Sequence, residues 1–160
     1  MKRTEKIIVY TDGGSRGNPG SAALGVVIKD EAGHTRKSYG KPLGLATNNE
    51  AEYSAVVFAL QKLKALFGKE KIKDMNVEVR MDSELVKKQL NGEYKIEEER
   101  LFPFFIKVWN LKMDFGAICF THIPREQNRR RICLSIKPLI RFRKNFSDRH
   151  GPEGEYVSLW

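Results

Sequence analysis

Little in this chain could lock a fold from outside a hydrophobic core. Only two of its 160 residues are cysteines, Cys119 and Cys133. They have no metal-ligand spacing and make no disulfide framework. A zinc ribbon and a cystine-stapled secreted scaffold are excluded, and a reduced, intracellular chain is expected. Long apolar runs are lacking too. After the basic start Met1-Lys2-Arg3, the first apolar run is Ile7-Ile8-Val9-Tyr10, too short for a signal peptide. No segment approaches the ~20 apolar residues of a membrane span. The expected setting is cytoplasmic, without a membrane partner, and the expected state is a monomer. Acidic charge is the remaining shortage. Twenty Asp and Glu face 29 Lys and Arg, a net charge of +9, so a polyanionic partner is expected. The imbalance is uneven, because residues 129–160 hold eight Lys/Arg against three Asp/Glu.

What the chain does have is a globular balance, with 41% hydrophobic and 31% charged residues, enough for a domain with a sizeable core. The stretch from Ile7 to Gly20 organises it. Four β-prone residues read as a strand buried on both faces. Gly13, Gly14, Gly17, Asn18, Pro19 and Gly20 are expected to end that strand in a turn. Asp12 then lies at a strand's carboxyl end, where open α/β sheets place their sites. Ala22 to Lys29 is expected as a second strand and Thr35 to Tyr39 as a third, joined by a turn that holds His34. Thr47-Asn48-Asn49 caps a helix that runs to about Leu66, with Ala55, Val56, Ala59, Leu60, Leu63 and Leu66 as its apolar face. Met75 to Met81 alternates like a half-covered strand and leads through Asp82-Ser83-Glu84 into a short helix ending at Leu90. Glu97 to Lys112 is a third helix, with Leu101, Phe104, Phe105, Val108, Trp109 and Leu111 read as core. Phe115 to Thr121 is a fifth strand. This β-β-β-α-β-α-α-β order predicts an α/β fold, a mixed sheet with helices packed on it.

Two acids, Asp12 and Asp82, fall at strand ends, and Glu52 opens the long helix. Each has an ordinary use, since Asp starts turns and caps helices and Glu favours a helix N-terminus. If the first and fourth strands are neighbours, the three converge. Carboxylates held together repel one another unless a cation neutralises them. An oxygen-only set suits Mg²⁺ or Mn²⁺. Two such ions stabilise the attacking and leaving oxygens of a phosphodiester displacement.

Four motifs carry a resemblance. They are Tyr10-Thr11-Asp12-Gly13-Gly14-Ser15-Arg16-Gly17-Asn18-Pro19-Gly20, Thr47-Asn48-Asn49-Glu50-Ala51-Glu52, Asp82-Ser83, and His122-Ile123-Pro124-Arg125-Glu126-Gln127-Asn128. In order and spacing the chain resembles the type 1 ribonuclease H family over residues 1–128. The resemblance implies the ribonuclease H-like fold, a five-stranded mixed sheet flanked by helices. It implies cleavage of the RNA strand of RNA/DNA hybrids with Mg²⁺ or Mn²⁺, held as two ions. It assigns metal binding to Asp12, Glu52 and Asp82, and a part in proton transfer or product release to His122. Hybrid contacts are expected from Gly13, Gly14 and Ser15, from Asn18, and from Asn48 and Asn49. Backbone amides at the glycines can approach a sugar-phosphate, and asparagines can read minor-groove edges and 2′-hydroxyls. Only Gly92 to Ile96 separate the second and third helices. The extra helix and basic loop of some family members are therefore missing, and the chain resembles the compact subgroup with the His-Ile-Pro-Arg-Glu-Gln-Asn motif.

The resemblance breaks after Asn128. The family's fourth carboxylate, an Asp ten residues after the histidine, falls at Ile132. Residues 129–160 are read as an atypical basic tail in place of the family's last helix, which leaves apolar sheet surface uncovered. A shifted reading frame is one account of the break. Codons exist that spell Arg130 to Arg141 and, read from the third base, spell Ala-Asp-Met-Phe-Val-Asn-Lys-Ala-Phe-Asp-Gln. A real variant is the other account. Two functions stand side by side: a hybrid-cleaving ribonuclease impaired by the missing acid, and a non-catalytic hybrid-binding module.

Overall fold

The computed structural model describes residues 4–132. Cys133, Pro138, Asp148, His150 and all but the start of the altered tail lie outside the described residues. Five strands form one sheet: β1 (Lys6–Gly17), β2 (Gly20–Asp30), β3 (Thr35–Ala46), β4 (Asn76–Met81) and β5 (Ala117–His122), in the order β3-β2-β1-β4-β5. The hairpin-linked pairs β1–β2 and β2–β3 are antiparallel. The pairs β1–β4 and β4–β5 are parallel, because helices carry the chain back between them. The expected mixed sheet is therefore present, with β1 at its centre.

Helix α1 (Asn48–Phe67) crosses from the β3 edge toward β4, followed by a single turn, α2 (Lys69–Ile72). Helices α3 (Glu84–Leu90) and α4 (Phe102–Lys112) make the second crossover. Residues 125–132 form helix α5. Among the described residues no helix is long and apolar enough to cross a membrane.

Helix α1 is set by its own N-terminus. Thr47 accepts from the Glu50 backbone N–H at 3.2 Å, and the Glu50 carboxylate accepts from the Thr47 N–H at 2.7 Å. This reciprocal pair satisfies two of the helix's orphan donors. The inner face then buries Tyr53, Val56, Leu60 and Leu63 against Ile7, Val9, Leu24, Val26 and Ile28 of the sheet. Leu66, expected in that face, is 45% exposed in the last turn.

Several expectations are corrected. β1 does not stop at Asp12. It continues to Gly17 because β2 pairs with it along its whole length, from Ile7–Asp30 to Gly17–Gly20. Only the parallel pairing with β4 stops, at Thr11–Met81. β3 likewise runs on past Tyr39 to Ala46. Among the described residues it pairs only with β2, and it tolerates Pro42 as edge strands do. Helix α4 starts at Phe102 rather than Glu97, because Pro103 favours the first helical turn and a 3₁₀ turn (Glu99–Leu101) precedes it. Trp109, expected in the core, is 55% exposed; Leu101 and Val108 are the buried members of that stripe.

The start of the tail differs as well. Ile132 is fully buried, in a cluster with Tyr10, Val27 and Ile123 on the sheet face opposite α1. Where bare sheet was expected, α5 covers it at this position, and Ile132 is the residue that does so.

Candidate active site

The alternation of β1 decides which side chains can meet. Ile7, Val9 and Thr11 face α1, so Ile8, Tyr10 and Asp12 face the side covered by α5. In β4 the same alternation buries Val77, Val79 and Met81 under α1. Glu78 and Arg80 then share the other face, where Arg80 donates to the Tyr10 hydroxyl at 2.9 Å. Asp82 continues that row directly beyond Met81. Ser83, not Asp82, caps α3, accepting from the Val86 N–H at 3.3 Å, which leaves the Asp82 carboxylate free of that duty.

Glu52 arrives from the opposite side, and Gly13 lets it in. A Cβ on Gly13 would stand 2.2 Å from the Ala51 carbonyl oxygen and 2.6 Å from the Glu52 nitrogen. The strand and α1 therefore touch backbone to backbone at this point. Carboxylate oxygens of Asp12, Glu52 and Asp82 consequently lie within 4.8 Å of one another. The convergence expected from the sequence is present.

The cluster is electrostatically costly when it holds no cation. Burial, then repulsion from Asp82, raises the Asp12 pKa from 3.8 to about 7. Burial followed by repulsion from Asp12 and Asp82 raises Glu52 well above the usual range. Burial raises Asp82 too. Opposing these, Arg125 and Arg129 draw Asp12 and Asp82 down, Arg125 also acts on Glu52, and the Gly13 amide favours both charged forms of Asp12 and Glu52. Three oxygen donors that resist ionising without compensation fit a hard divalent cation.

The other expected residues divide. His122 is exposed and close enough to favour the charged form of Asp82. Ser15, Asn18 and Asn48 form a bracket beside the cluster. The Ser15 N–H donates to the Asn48 Oδ1 at 2.9 Å, and the Asn48 N–H donates to the Asn18 Oδ1 at 3.0 Å. The Ser15 hydroxyl also donates to the Gly17 carbonyl. Gly14 borders open space and Asn49 is half-buried in the first turn of α1. Gly13 is buried beneath α1, and its amide favours the charged forms of the carboxylates. Glu50 is in the capping pair and not in the cluster. Three residues of α5 received no separate role from the sequence: Arg125, Asn128 and Arg129. The motif around His122 names Arg125 and Asn128, with Arg129 directly after it, but not the face of the helix they share.

Comparison with known proteins accords with this geometry. Residues 10–135 match the family model described as reverse transcriptase-like. Ribonuclease HI of Halobacterium salinarum is 37% identical over 137 residues, covering 86% of this chain and 66% of that protein. Its solved structure superposes with a TM-score of 0.72, over 84% of this chain and 97% of the solved one. LC11-RNase H1, solved in complex with an RNA/DNA hybrid, is 46% identical with a TM-score of 0.74, over 84% and 99% of the two chains. The bifunctional protein Rv2228c of Mycobacterium tuberculosis is 34% identical over 124 residues, and the chain spans only 32% of its length. The fold and the acidic cluster thus define a nuclease-like domain of the reverse transcriptase-like class. Within that class the chain belongs to the type 1 ribonuclease H family.

Proposed function

We propose that this chain hydrolyses the RNA strand of RNA/DNA hybrids, with Asp12, Glu52 and Asp82 holding divalent metal, Mg²⁺ or Mn²⁺, as two ions. One observation carries the reading: three carboxylates from β1, α1 and the end of β4 meet within 4.8 Å at the end of the parallel pairing. The ions, when bound, supply positive charge to the attacking and leaving oxygens of the phosphodiester. The chain's own residues do the rest. Asp12 lies on the central strand, and Asp82 and Glu52 flank it. His122 is exposed, and its part in this reading is to carry a proton or ease product out.

The bracket beside the cluster supports a hybrid substrate. The carboxamide oxygens of Asn18 and Asn48 are held by backbone N–H groups. That leaves their amide N–H donors for minor-groove acceptors and 2′-hydroxyls, the groups that mark RNA. Ser15, Gly14 and Asn49 extend the same surface. A monomer acting in the cytoplasm completes the reading, and the exposed free thiol of Cys119 suits a reducing compartment.

A second reading, a hybrid-binding module with impaired or no catalysis, has its own observation. Among the described residues the metal-capable cluster holds three acids, and position 132 is occupied by a buried isoleucine. Labelled hybrid separates the two. Asp12→Asn is expected to abolish cleavage in Mg²⁺ and in Mn²⁺ while hybrid is still bound. Turnover by Asp12→Asn at the parental rate would overturn the site. Binding without any turnover by the parent chain would establish the second reading.

A further inference from the structure

Asn128 is a buried polar side chain that the site so far leaves unused. It is fully buried in α5, and its Nδ2 donates to the Thr11 carbonyl oxygen at 2.8 Å across 117 residues of sequence. That carbonyl belongs to the peptide unit that leads into Asp12. It also lies where β1 has just lost its neighbour, since the pairing with β4 ends at Thr11–Met81. Beyond this point the β4 side of the strand no longer has a ladder to hold it. Asn128 supplies the missing partner from another element. Among the described residues its own Oδ1 and the Thr11 hydroxyl are buried without a hydrogen-bond partner. A buried orphan of this kind is destabilising, so a Leu or Val would pack there at less cost if packing were the only need.

We infer that Asn128 is a positioning residue for the metal site, acting through the Thr11–Asp12 peptide. Its hydrogen bond fixes the plane of that peptide and with it the direction of the Asp12 carboxylate. The same bond ties the first turns of α5 to β1, which holds Arg125 and Arg129 near the acids they draw down. A strand end without a neighbour would otherwise let Asp12 swing. Outer contacts of this type commonly govern metal affinity by ~10-fold to ~100-fold. This inference rests on the assignment of Asp12, Glu52 and Asp82 to metal.

The test measures Mn²⁺ affinity by calorimetry on the whole chain without hybrid, alongside the melting temperature. Asn128→Ala is expected to weaken Mn²⁺ binding about 10-fold or more. Val108→Ala, a core truncation in α4, is expected to lower the melting temperature and leave Mn²⁺ affinity unchanged. Asn128→Gln keeps a carboxamide donor and is expected to recover part of the affinity. Should Asn128→Ala not fold, Asn128→Ser carries the same comparison with a smaller change. Parental Mn²⁺ affinity in the Asn128 variants would overturn the inference, as would an equal loss in Val108→Ala. Asp12→Asn distinguishes the two levels. If it too binds Mn²⁺ like the parent, the metal assignment itself fails; if it alone loses binding, only the role of Asn128 falls.

Discussion

The two faces of the sheet are built by different rules. Under α1 the sheet is sealed by a broad cluster of aliphatic residues, from Ile7 and Val9 through Leu60 and Leu63. Under α5 the apolar cluster is small: Tyr10, Val27, Ile123 and Ile132, with Ile8 beside it. Around it stand charges. Glu78 pairs with Arg80 at 2.9 Å and with Lys6 at 3.5 Å, and Arg131 lies over the Tyr10 ring. One face is insulated and holds the fold. The other mixes a thin apolar layer with ions and ends in Asp12 and Asp82. Acids proposed to hold metal need that second environment, because burial on the first face would leave them neutral and out of reach. Glu52 is the exception that joins the two. It belongs to the helix of the insulated face and reaches the acids where Gly13 offers no side chain.

The sharpest way to break this comparison is to fill the gap between the faces. Gly13→Ala places a methyl carbon 2.2 Å from the Ala51 carbonyl oxygen, and backbone cannot yield as a flexible side chain would. Overpacking of this kind costs about 1–3 kcal/mol or more. It should also withdraw Glu52 from the cluster, so thermal melting and Mn²⁺ titration should both show loss. Gly14→Ala is the control, since nothing lies within 4 Å of its added carbon; it should melt like the parent. A Gly13→Ala chain with parental melting and metal affinity would remove the gap from the account.

A smaller effect tests whether α5 truly closes its face. Ile132→Ala is expected to cost about 2–4 kcal/mol, as a buried aliphatic truncation does, read from denaturant unfolding. Ile132→Asp restores the family's residue type, but into an enclosure of Tyr10, Val27 and Ile123. It is expected to be less stable than Ile132→Ala without metal and to gain little cleavage. A clear rise in hybrid cleavage by Ile132→Asp would show that position 132 reaches the acids, and that the isoleucine is a lesion after all.

Much of the insulated face was legible in the sequence. The spacing of Val56, Leu60 and Leu63 and the alternation of Val77, Val79 and Met81 mark one-sided burial, and the structure has it. The acids were legible because Asp12 and Asp82 follow apolar runs, although Asp12 lies within β1 rather than at its end. What decides that is β2, which pairs past the glycines, and pairing partners are not written locally. The packing role of Gly13 is hidden for a similar reason. A glycine-rich run signals close approach, but not whether helix or substrate is what approaches. The contribution of α5 was least visible. Ile132 reads as a missing acid until Tyr10 and Val27 are seen around it, and Asn128 reads as one letter of a motif until its bond to Thr11 is known.

The gentlest probe is pH, and its sign follows from the cluster. In the metal-free protein Asp12 keeps its proton up to about pH 7, whereas its ordinary value is 3.8. Between those values the folded chain holds a proton that the unfolded chain has released. Stability therefore falls as pH rises through this window and levels off above it. Glu52 and Asp82 are raised as well and slope the same way. Asp30, Glu78, Glu84 and Asp114 are shifted down by their partners. Their contribution is lost only when pH falls through the ordinary carboxylate range, so it does not mask the slope above that range. With chelator present, the melting temperature should decline from about pH 5 to about pH 8. Asp12→Asn should flatten the decline and melt higher than the parent at the alkaline end. Divalent metal must displace the same protons to bind, so the rise in melting temperature on adding Mn²⁺ should be larger at the alkaline end than at the acid end. The core cluster under α1 is apolar, and Leu60→Ala should lower every point of the curve without changing its slope. A parent curve that rises across the window would mean that Arg125 and Arg129 already neutralise the acids, and that the charged face is balanced without metal.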